Sequence, residues 1–184
     1  GQRAVFTKRQ IYTTWQYIDY VEFPDIDYCL GLDFGYSQDC TGIVKVGRHN
    51  DKLYVKEICY RKGMTNKDIA NFIKEHNLED LLIVCDSAEP KSIEELRREG
   101  LMVKPSIKGA GSVNAGISKL KEFEVFISKC SKNIFKEQQG YLWEELKDGT
   151  IINKPITSAP EHLLDALRYA VYTRYKYNDS FFIV

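Results

Sequence analysis

The pattern of apolar and polar positions predicts three strands early in the chain, followed by alternating helices and strands. Apolar and β-branched residues concentrate in the runs 28–33, 41–46 and 53–60, and the turn-like segment 49–51 separates the last two runs. The short, continuously apolar run 81–85 is typical of a strand that is buried on both faces. Strands joined first by hairpins and then through helices predict an α/β domain, with a mixed β-sheet flanked by helices.

Helical periodicity marks the segments between and after these strands. Thr65 lies where a helix-capping residue is expected, and the helical segment 91–99 ends at Gly100, a position where glycine is common. The segment 125–127 is predicted to be an edge strand. The longest helical segment, 160–175, places its apolar residues on one side, which predicts a helix packed against the sheet.

The first 26 residues follow a different pattern. They are crowded with tyrosine and tryptophan, but they keep neither the helical nor the strand period. We therefore predict that residues 1–26 are a connecting segment, packed against the domain or belonging to a neighbouring one, and that residues 27–184 form the α/β domain. A chain of 184 residues is long enough for one domain with a sizeable core.

Composition narrows the class of protein. Hydrophobic residues make up 43% and charged residues 28%, the balance of an ordinary soluble globular protein. No apolar run approaches the roughly 20 residues of a membrane span, and no secretory leader opens the chain, so we expect neither a membrane partner nor secretion. The spacing of the five cysteines gives no zinc signature, and their odd number argues against a closed disulfide framework, so a reducing cytoplasm is the simplest compartment.

The charge of the chain is balanced, with 26 basic and 26 acidic side chains and a formal net charge of zero. Proteins that bind DNA by themselves usually have a basic excess, because contacts with phosphates supply much of the affinity. Neutrality therefore argues against tight autonomous DNA binding. It remains compatible with an enzyme to which a partner delivers DNA and which keeps its basic residues on one face.

Three acidic residues occupy positions where chemistry is expected. Asp33 closes the first predicted strand, Asp86 closes the buried strand, and Asp165 lies in the final helix. If the two strands are neighbours in the sheet, Asp33 and Asp86 emerge side by side, and the helix can direct Asp165 to the same point. Converging carboxylates repel one another unless a cation neutralises them, and hard oxygen ligands suit Mg²⁺ or Mn²⁺. Two such ions can activate water and stabilise the leaving oxygen of a phosphodiester.

Each of these residues also has a purely structural interpretation. An Asp at the end of a strand is often a turn former or a helix cap, which applies to Asp33 and Asp86. Asp165 can pair with Arg168, although its apolar neighbours place it beside a buried stripe where an unpaired carboxylate is costly. His162 lies on nearly the same helix face as Asp165. It is either a metal ligand, a water-positioning base or a phosphate contact, or it is a partly buried histidine near the helix start.

The glycine-rich segment from Lys108 to Ser112 is a candidate nucleic-acid-binding loop. Its backbone amides, together with the side chains of Lys108 and Ser112, can hold a phosphate. The segment lacks the Gly-Lys-Ser/Thr ending of a Walker A loop, so no nucleotide triphosphatase site of that kind is expected.

Four motifs follow one another along the chain. They are Gly31-Leu-Asp33-Phe-Gly35, Val84-Cys-Asp86-Ser-Ala88, Lys108-Gly-Ala-Gly-Ser112 and His162-Leu-Leu-Asp165-Ala-Leu-Arg-Tyr-Ala170. Together they resemble the nuclease domain of the large terminase subunits of tailed bacteriophages, which has a ribonuclease H-like fold. The resemblance covers residues 28–175 and implies a metal-dependent endonuclease that cuts concatemeric viral DNA during genome packaging.

The resemblance also implies roles for individual residues and a setting for the protein. It makes Asp33, Asp86 and Asp165 the metal ligands, and it supports His162 as a further ligand because some members use a histidine of the last motif. The expected cofactor is Mg²⁺ or Mn²⁺, with two ions in the site. The expected partners are double-stranded DNA, a preceding ATPase domain, the small terminase subunit and the portal protein, in the cytoplasm of a bacterial host. Residues 1–26 are then the tail of the ATPase domain or its linker.

Other classes of protein remain open at this point. Another ribonuclease H-like nuclease, such as a resolvase or transposase core, is the nearest alternative. Asp-Phe-Gly after a strand also resembles the first phosphate loop of actin-like ATPases, but the chain offers no second loop of that kind. A non-catalytic docking module that uses its acidic cluster as a binding surface is the third alternative, and it predicts no metal-dependent cleavage.

Overall fold

A seven-stranded sheet organises the computed structural model, which describes residues 8–35, 39–156 and 160–176. Its strands are β1 (Gln16–Ile18), β2 (Tyr28–Asp33), β3 (Cys40–His49), β4 (Lys52–Lys62), β5 (Ile83–Cys85), β6 (Val103–Pro105) and β7 (Glu124–Ser128). They lie in the order β1-β7-β4-β3-β2-β5-β6. Strands β2, β3 and β4 are antiparallel neighbours, whereas the other pairings are parallel. The predicted α/β class with a mixed sheet is confirmed.

The turn between β3 and β4 follows from its sequence. Asn50 adopts a positive φ of 55°, a conformation that its short polar side chain tolerates better than most residues do. The two long strands then pair from Cys40 to His49, with one irregularity of register between Ile43 and Val44. The predicted hairpin is therefore present.

Five α-helices in the described residues cover the two faces of the sheet. They are α1 (Asn66–Glu75), α2 (Pro90–Arg98), α3 (Ser112–Lys121), α4 (Lys132–Gly140) and α5 (His162–Tyr175). Because successive residues of a strand point to opposite faces, β2 contributes Leu30 to the core cluster under α1 and α2, and Cys29 to the cluster under α3, α4 and α5. The sheet is thus buried between two helical layers.

The prediction that residues 125–127 form an edge strand was wrong about the position of the strand in the sheet. These residues do form a strand, β7, but it is second from the edge because β1 pairs with it in parallel. Strand β1 has only three residues, too few to show a period of two in the sequence. The N-terminal part of the chain therefore supplies the edge that the apolar pattern assigned elsewhere.

Part of the segment predicted to be a connection packs tightly against the domain. Ile11, Tyr12 and Trp15 are buried, and the rings of Tyr12 and Trp15 stack with their centroids 4.4 Å apart. Residues 1–7 of this segment, and residues 177–184 of the predicted domain, lie outside the described residues. The assignment of residues 1–26 to the tail or linker of a preceding domain stays a prediction.

A small hairpin that the sequence pattern did not predict precedes α5. Its strands, β8 (Trp143–Glu145) and β9 (Ile151–Pro155), are antiparallel and separate from the main sheet. All five cysteines are free thiols in this structure. The described helices include none with the length and apolar character that a membrane span requires.

Candidate active site

The parallel pairing of β2 and β5 brings two of the predicted site residues to one edge of the sheet. Leu32 pairs with Cys85, so the next residues along the two strands, Asp33 and Asp86, leave the sheet side by side. This is the neighbour relation on which the predicted convergence depends. Both side chains are largely buried, with 16% and 19% of their surface exposed.

Helix α5 approaches this edge closely because two glycines leave room for its backbone. A methyl group at Gly31 would overlap the carbonyl oxygen of Ala166, and one at Gly42 would come within 3.0 Å of the backbone of His162. Gly31 lies on β2. Gly42 lies on β3, where it pairs with Asp33 of β2. The first turns of α5 therefore lie directly on the strands that hold the acidic residues.

His162, the first residue of α5, contacts Asp33. Its Nδ1 lies 2.9 Å from Oδ2 of Asp33, and the imidazole is 22% exposed. The hydrogen bond to Asp33 raises the pKa of His162, although burial opposes this. Burial raises the pKa of Asp33, the hydrogen bond from His162 opposes the rise, and the nearby charges of Asp165 and Asp86 add to it. The site therefore places several carboxylates within electrostatic reach of one another.

Asp86 pairs with Lys108, the first residue of the glycine-rich loop. The ammonium group of Lys108 forms an ion pair with Oδ1 of Asp86, and the backbone amide of Ala88 donates to the same oxygen at 2.8 Å. Burial acts to raise the pKa of Asp86, but these two partners lower it overall. Lys108, predicted to contact a phosphate, thus belongs to the site in this structure.

Asp165 pairs with Arg168, as its structural interpretation proposed. Nη2 of Arg168 donates to Oδ1 of Asp165 at 2.7 Å, and only 9% of the Arg168 side chain is exposed. An unpaired carboxylate would be costly beside the apolar stripe, and the buried guanidinium three residues later neutralises it. Burial acts to lower the pKa of Arg168, but the charge of Asp165 raises it overall.

Tyr169 connects the helix to the sheet edge, although its role was not predicted. Its hydroxyl lies 3.4 Å from Oδ2 of Asp165 and 3.4 Å from Oδ2 of Asp86. Tyr169 is four residues after Asp165 and seven after His162, so helical periodicity places all three on one face of α5. That spacing is the signal that the sequence offered for it.

Asp33 and Asp86 thus leave neighbouring strands, the hydroxyl of Tyr169 lies between Asp86 and Asp165, and each acid has a basic partner. Asp33 pairs with His162, Asp86 with Lys108, and Asp165 with Arg168. In the described part of the chain, no group of three or more Asp, Glu, His or Cys side chains is arranged so that it could hold a metal ion. Each of the three carboxylates therefore lies against a basic side chain.

A groove of about 360 Å³ runs beside the carboxylate of Asp165. It lies between the glycine-rich loop, the start of α3 and strand β9. Its lining includes Ser112, Asn114, Lys154, Glu161 and Arg168. The side-chain amide of Asn114 donates to the backbone carbonyl of Asn153 at 2.7 Å, which ties α3 to the hairpin. Ser112, the second predicted nucleic-acid contact, therefore lines an open groove next to the acidic residues.

Two further glutamates near the start of α5 were not predicted from the sequence. Burial raises the pKa of Glu137 to about 7, although the amides of Leu164 and Leu163 oppose the rise. Burial also raises the pKa of Glu161 to about 7, and the charge of Asp165 adds to this. Glu137 lies in the polar helix α4, and nothing in its local sequence indicates a partner in α5.

The comparison with protein families identifies the class of this chain. The chain belongs to the terminase RNase H-like domain family, whose model matches residues 33–173. The matched region begins at Asp33 and includes Asp86, His162 and Asp165. The family and the fold expected from the four motifs are confirmed.

Curated relatives come from a bacterium and a phage. The chain is 31% identical over 144 residues to the PBSX phage terminase large subunit of Bacillus subtilis (strain 168), a match that covers 77% of this chain and 33% of that protein. It is 29% identical over 146 residues to the terminase large subunit of Bacillus phage SPP1, covering 76% and 34%. The chain spans about a third of the length of these relatives.

Solved structures share the fold. The nuclease domain of the large terminase from bacteriophage SPP1, solved with bound Mn, matches with a TM-score of 0.78 and 25% identity, covering 90% of this chain and 98% of that one. The large terminase nuclease of thermophilic phage G20c with bound magnesium matches with a TM-score of 0.69 and 18% identity, covering 91% and 98%. Both relatives are nuclease domains that this chain matches over nearly their whole length.

Proposed function

We propose that this chain is a metal-dependent endodeoxyribonuclease that cuts concatemeric viral DNA during genome packaging. The observation that supports this most directly is the placement of Asp33 and Asp86 on neighbouring strands, with Asp86 and Asp165 both in contact with Tyr169, in a chain of the terminase RNase H-like family. Their separate origins argue against a turn former or helix cap as the common explanation. The family match also favours a terminase over a resolvase, a transposase, an actin-like ATPase or a docking module.

The donor set suits a divalent cation such as Mg²⁺ or Mn²⁺. Three carboxylates provide the hard oxygen ligands that both ions prefer, and the single imidazole nitrogen is tolerated better by Mn²⁺ than by Mg²⁺. The carboxylates are largely buried; Lys108 and Arg168 are the charged partners of Asp86 and Asp165, and His162 is the hydrogen-bond partner of Asp33. A cation would replace part of that neutralising charge. The related SPP1 domain was solved with bound Mn and the G20c nuclease with bound magnesium, which supports the same chemistry here.

The residues take distinct roles in this proposal. Asp33, Asp86 and Asp165 would hold two divalent ions, which supply Lewis-acid chemistry to a phosphodiester. With its proton on Nδ1, His162 donates to Asp33 and orients that carboxylate, and its Nε2 remains available as a ligand or base. Lys108 provides a positive charge beside Asp86 that can pair with a phosphate oxygen once that acid has another partner. Ser112, in the adjacent groove, is placed to contact the DNA backbone.

The neutral charge of the chain supports delivery of DNA by other parts of the packaging machinery. We propose an ATPase domain on the same polypeptide, a small terminase subunit and a portal protein as partners, in the cytoplasm of the bacterial host. The curated relatives are about three times as long as the matched region, which leaves room for such a domain in them. Double-stranded DNA is then the substrate, contacted mainly through its phosphates.

Cleavage of supercoiled plasmid with and without divalent ions tests the proposal. We expect nicking and linearisation with Mn²⁺ and with Mg²⁺, and none in EDTA. Asp33→Asn and Asp86→Asn should each reduce cleavage to background while the melting temperature stays near that of the wild type, because the isosteric amide removes charge without leaving a cavity. Asp51→Asn, an exposed acid in the β3–β4 turn, is the matched control and should cut normally. Full cleavage in EDTA, or by Asp33→Asn, would contradict the proposal.

A further inference from the structure

The start of α5 is held by a carboxylate from another helix. Oε2 of Glu137 accepts hydrogen bonds from the backbone amides of Leu163 at 2.9 Å and Leu164 at 3.0 Å. The first amides of any helix lack partners within the helix and need external acceptors. The residue at the N-cap position, Glu161, makes no side-chain capping bond. Glu137, which is only 5% exposed, therefore provides the cap that the local sequence of α5 does not.

Helix α4, which contains Glu137, is itself anchored at its start. Oε2 of Glu57 on β4 accepts from the backbone amide of Asn133 at 2.9 Å, and Oε1 accepts from the side-chain amide of the same residue at 2.6 Å. The hydroxyl of Ser131, at the N-cap position of α4, makes no capping bond and instead accepts from the amide of Glu57 at 2.9 Å. The central sheet thus fixes the helix that in turn holds α5.

The other end of α4 is anchored by the N-terminal segment. The residue next to Glu137 is Gln138, whose backbone carbonyl accepts from the side chain of Gln10 at 3.1 Å. The side-chain amide of Gln138 donates to the carbonyl of Tyr12 at 2.9 Å, and its Oε1 accepts from the hydroxyl of Tyr17 at 2.6 Å. Because both ends of α4 are hydrogen-bonded to other parts of the domain, Glu137 is held in position to bind the start of α5.

We propose that Glu137 is a positioning residue of the active site. It holds the first turn of α5 so that His162 reaches Asp33 and Asp165 lies beside Asp86. Glu137 bonds to the residues immediately after His162, and Asp165 follows one residue later. Loss of the cap would leave two buried amides without acceptors and would favour fraying of the turn that holds both site residues. Glu137 acts through them and need not touch DNA or metal.

Three substitutions separate capping from charge. Glu137→Gln keeps an oxygen that can accept both amide hydrogen bonds but removes the charge. Glu137→Asp keeps the charge but withdraws the oxygen by one methylene, and Glu137→Ala removes both. Asp68→Ala, which breaks the cap of α1 on the other face of the sheet, is the matched control for the general effect of losing a helix cap.

The first readout is the imidazole proton spectrum of the metal-free protein, which reports the contact between His162 and Asp33 without any cleavage. The chain has three histidines, so comparison with His162→Gln identifies the signal of His162, and His76, bonded to Phe72, serves as an internal reference. We expect the Nδ1 proton signal of His162 to persist in Glu137→Gln and Asp68→Ala. It should be lost or exchange-broadened in Glu137→Asp and Glu137→Ala.

The second readout is the Mn²⁺ concentration that gives half-maximal plasmid cleavage, and this readout alone rests on the proposed function. Glu137→Asp and Glu137→Ala should raise it by about 10–100-fold, the usual effect of losing a residue that orients metal ligands. Glu137→Gln should stay within a few-fold of the wild type.

An unchanged His162 signal in Glu137→Asp would overturn the inference, and so would loss of that signal in Glu137→Gln. If Glu137→Ala does not fold, the Asp and Gln variants still decide between these outcomes. Absence of cleavage by the wild type would count against the nuclease proposal, while the imidazole spectra would still test positioning.

Discussion

Helices α1 and α5 pack on opposite faces of the same sheet, but they begin in different ways. Helix α1 caps itself: Oγ1 of Thr65 accepts from the amide of Asp68, and a carboxylate oxygen of Asp68 accepts from the amide of Thr65. Helix α5 has no side-chain cap from its own N-cap residue and depends on Glu137. The cap of α1 comes from residues next to it in sequence, whereas the cap of α5 requires α4 to pack against it.

The first turn of each helix contains an acidic residue, and the two acids make different contacts. Asp68 is exposed, and hydrogen bonds from the hydroxyl and the backbone amide of Thr65 lower its pKa. Asp165 is turned toward Arg168, Tyr169 and the sheet edge. Neither Asp165 nor the N-cap residue Glu161 caps α5. The amides of Leu163 and Leu164, which an N-cap side chain normally serves, therefore donate to Glu137 of another helix.

The largest difference between the two helices should appear in cleavage when the acid in each first turn, Asp165 or Asp68, is replaced by asparagine. We expect Asp165→Asn to reduce plasmid cleavage to background and Asp68→Asn to leave it unchanged. Asp165→Asn retains an oxygen for Arg168 but not the neutralising charge, so its melting temperature should fall, though less than that of Asp165→Ala. Asp165→Ala should in addition destabilise the protein by about 3–5 kcal/mol, because a buried guanidinium loses its partner. Cleavage assays and urea unfolding on the three variants measure this, and normal cleavage by Asp165→Asn would reduce Asp165 to a structural partner of Arg168.

The two helices should also differ in how well their packing on the sheet tolerates an added methyl group. Helix α1 packs through ordinary apolar side chains such as Ile69 and Ile73, whereas α5 approaches so closely that its backbone faces Gly31. Gly31→Ala should push α5 away from β2 and cost at least about 3 kcal/mol, since the overlapping atom belongs to the backbone and cannot rotate away. Cleavage should fall with it.

The matched control for that substitution is Gly109→Ala, because a methyl group at Gly109 meets no atom within 4 Å. Its melting temperature should equal that of the wild type. A Gly31→Ala variant as stable as the wild type would show that α5 has room to shift, and that close packing does not fix the site.

The same contrast explains which features the sequence could predict. The cap of α1 lies within four residues, and Asp33 and Asp86 close strands whose apolar runs are visible, so these positions follow from local pattern. Their adjacency needed only the assumption that two strands are neighbours. The family motifs then supplied the link to α5.

The remaining features depend on contacts between distant parts of the chain. Glu137 and the amide of Leu163 are 26 residues apart, and Lys108 lies 22 positions after Asp86. Strand β1 is recognisable only through its pairing with β7, which is more than 100 residues later. Neither periodicity nor spacing encodes such pairs, because they form only when the sheet order places the elements together.

A smaller effect should appear in the pH dependence of stability. The pKa of Glu137 is raised from 4.5 to about 7 in the folded protein, so between these values the folded state binds more protons than the unfolded state. Stability from this group is therefore present at low pH and lost as the pH rises through about 7. Urea unfolding of the metal-free protein at about pH 5 and pH 8 should show a decline that is smaller in Glu137→Gln, by about 2 kcal/mol.

Glu161 has a similarly raised pKa and provides a check on that measurement. Because Glu137→Gln leaves Glu161 intact, part of the decline with pH should persist in the variant. An identical pH dependence in the wild type and in Glu137→Gln would show that Glu137 is ionised in the folded protein at all pH values tested.

The smallest effect should come from the cap of α1. Thr65→Ala removes the hydroxyl that accepts from the amide of Asp68 and should cost about 1 kcal/mol, the usual value for an N-cap residue. Thr65→Ser keeps the hydroxyl and should restore most of that stability. Neither variant should change the Mn²⁺ requirement or the rate of cleavage at a temperature well below melting, since α1 packs in the core cluster on the face opposite α5. A change in Mn²⁺ requirement in Thr65→Ala would mean that any loosened helix disturbs the site, and it would remove the distinction between the two helix starts on which the role of Glu137 rests.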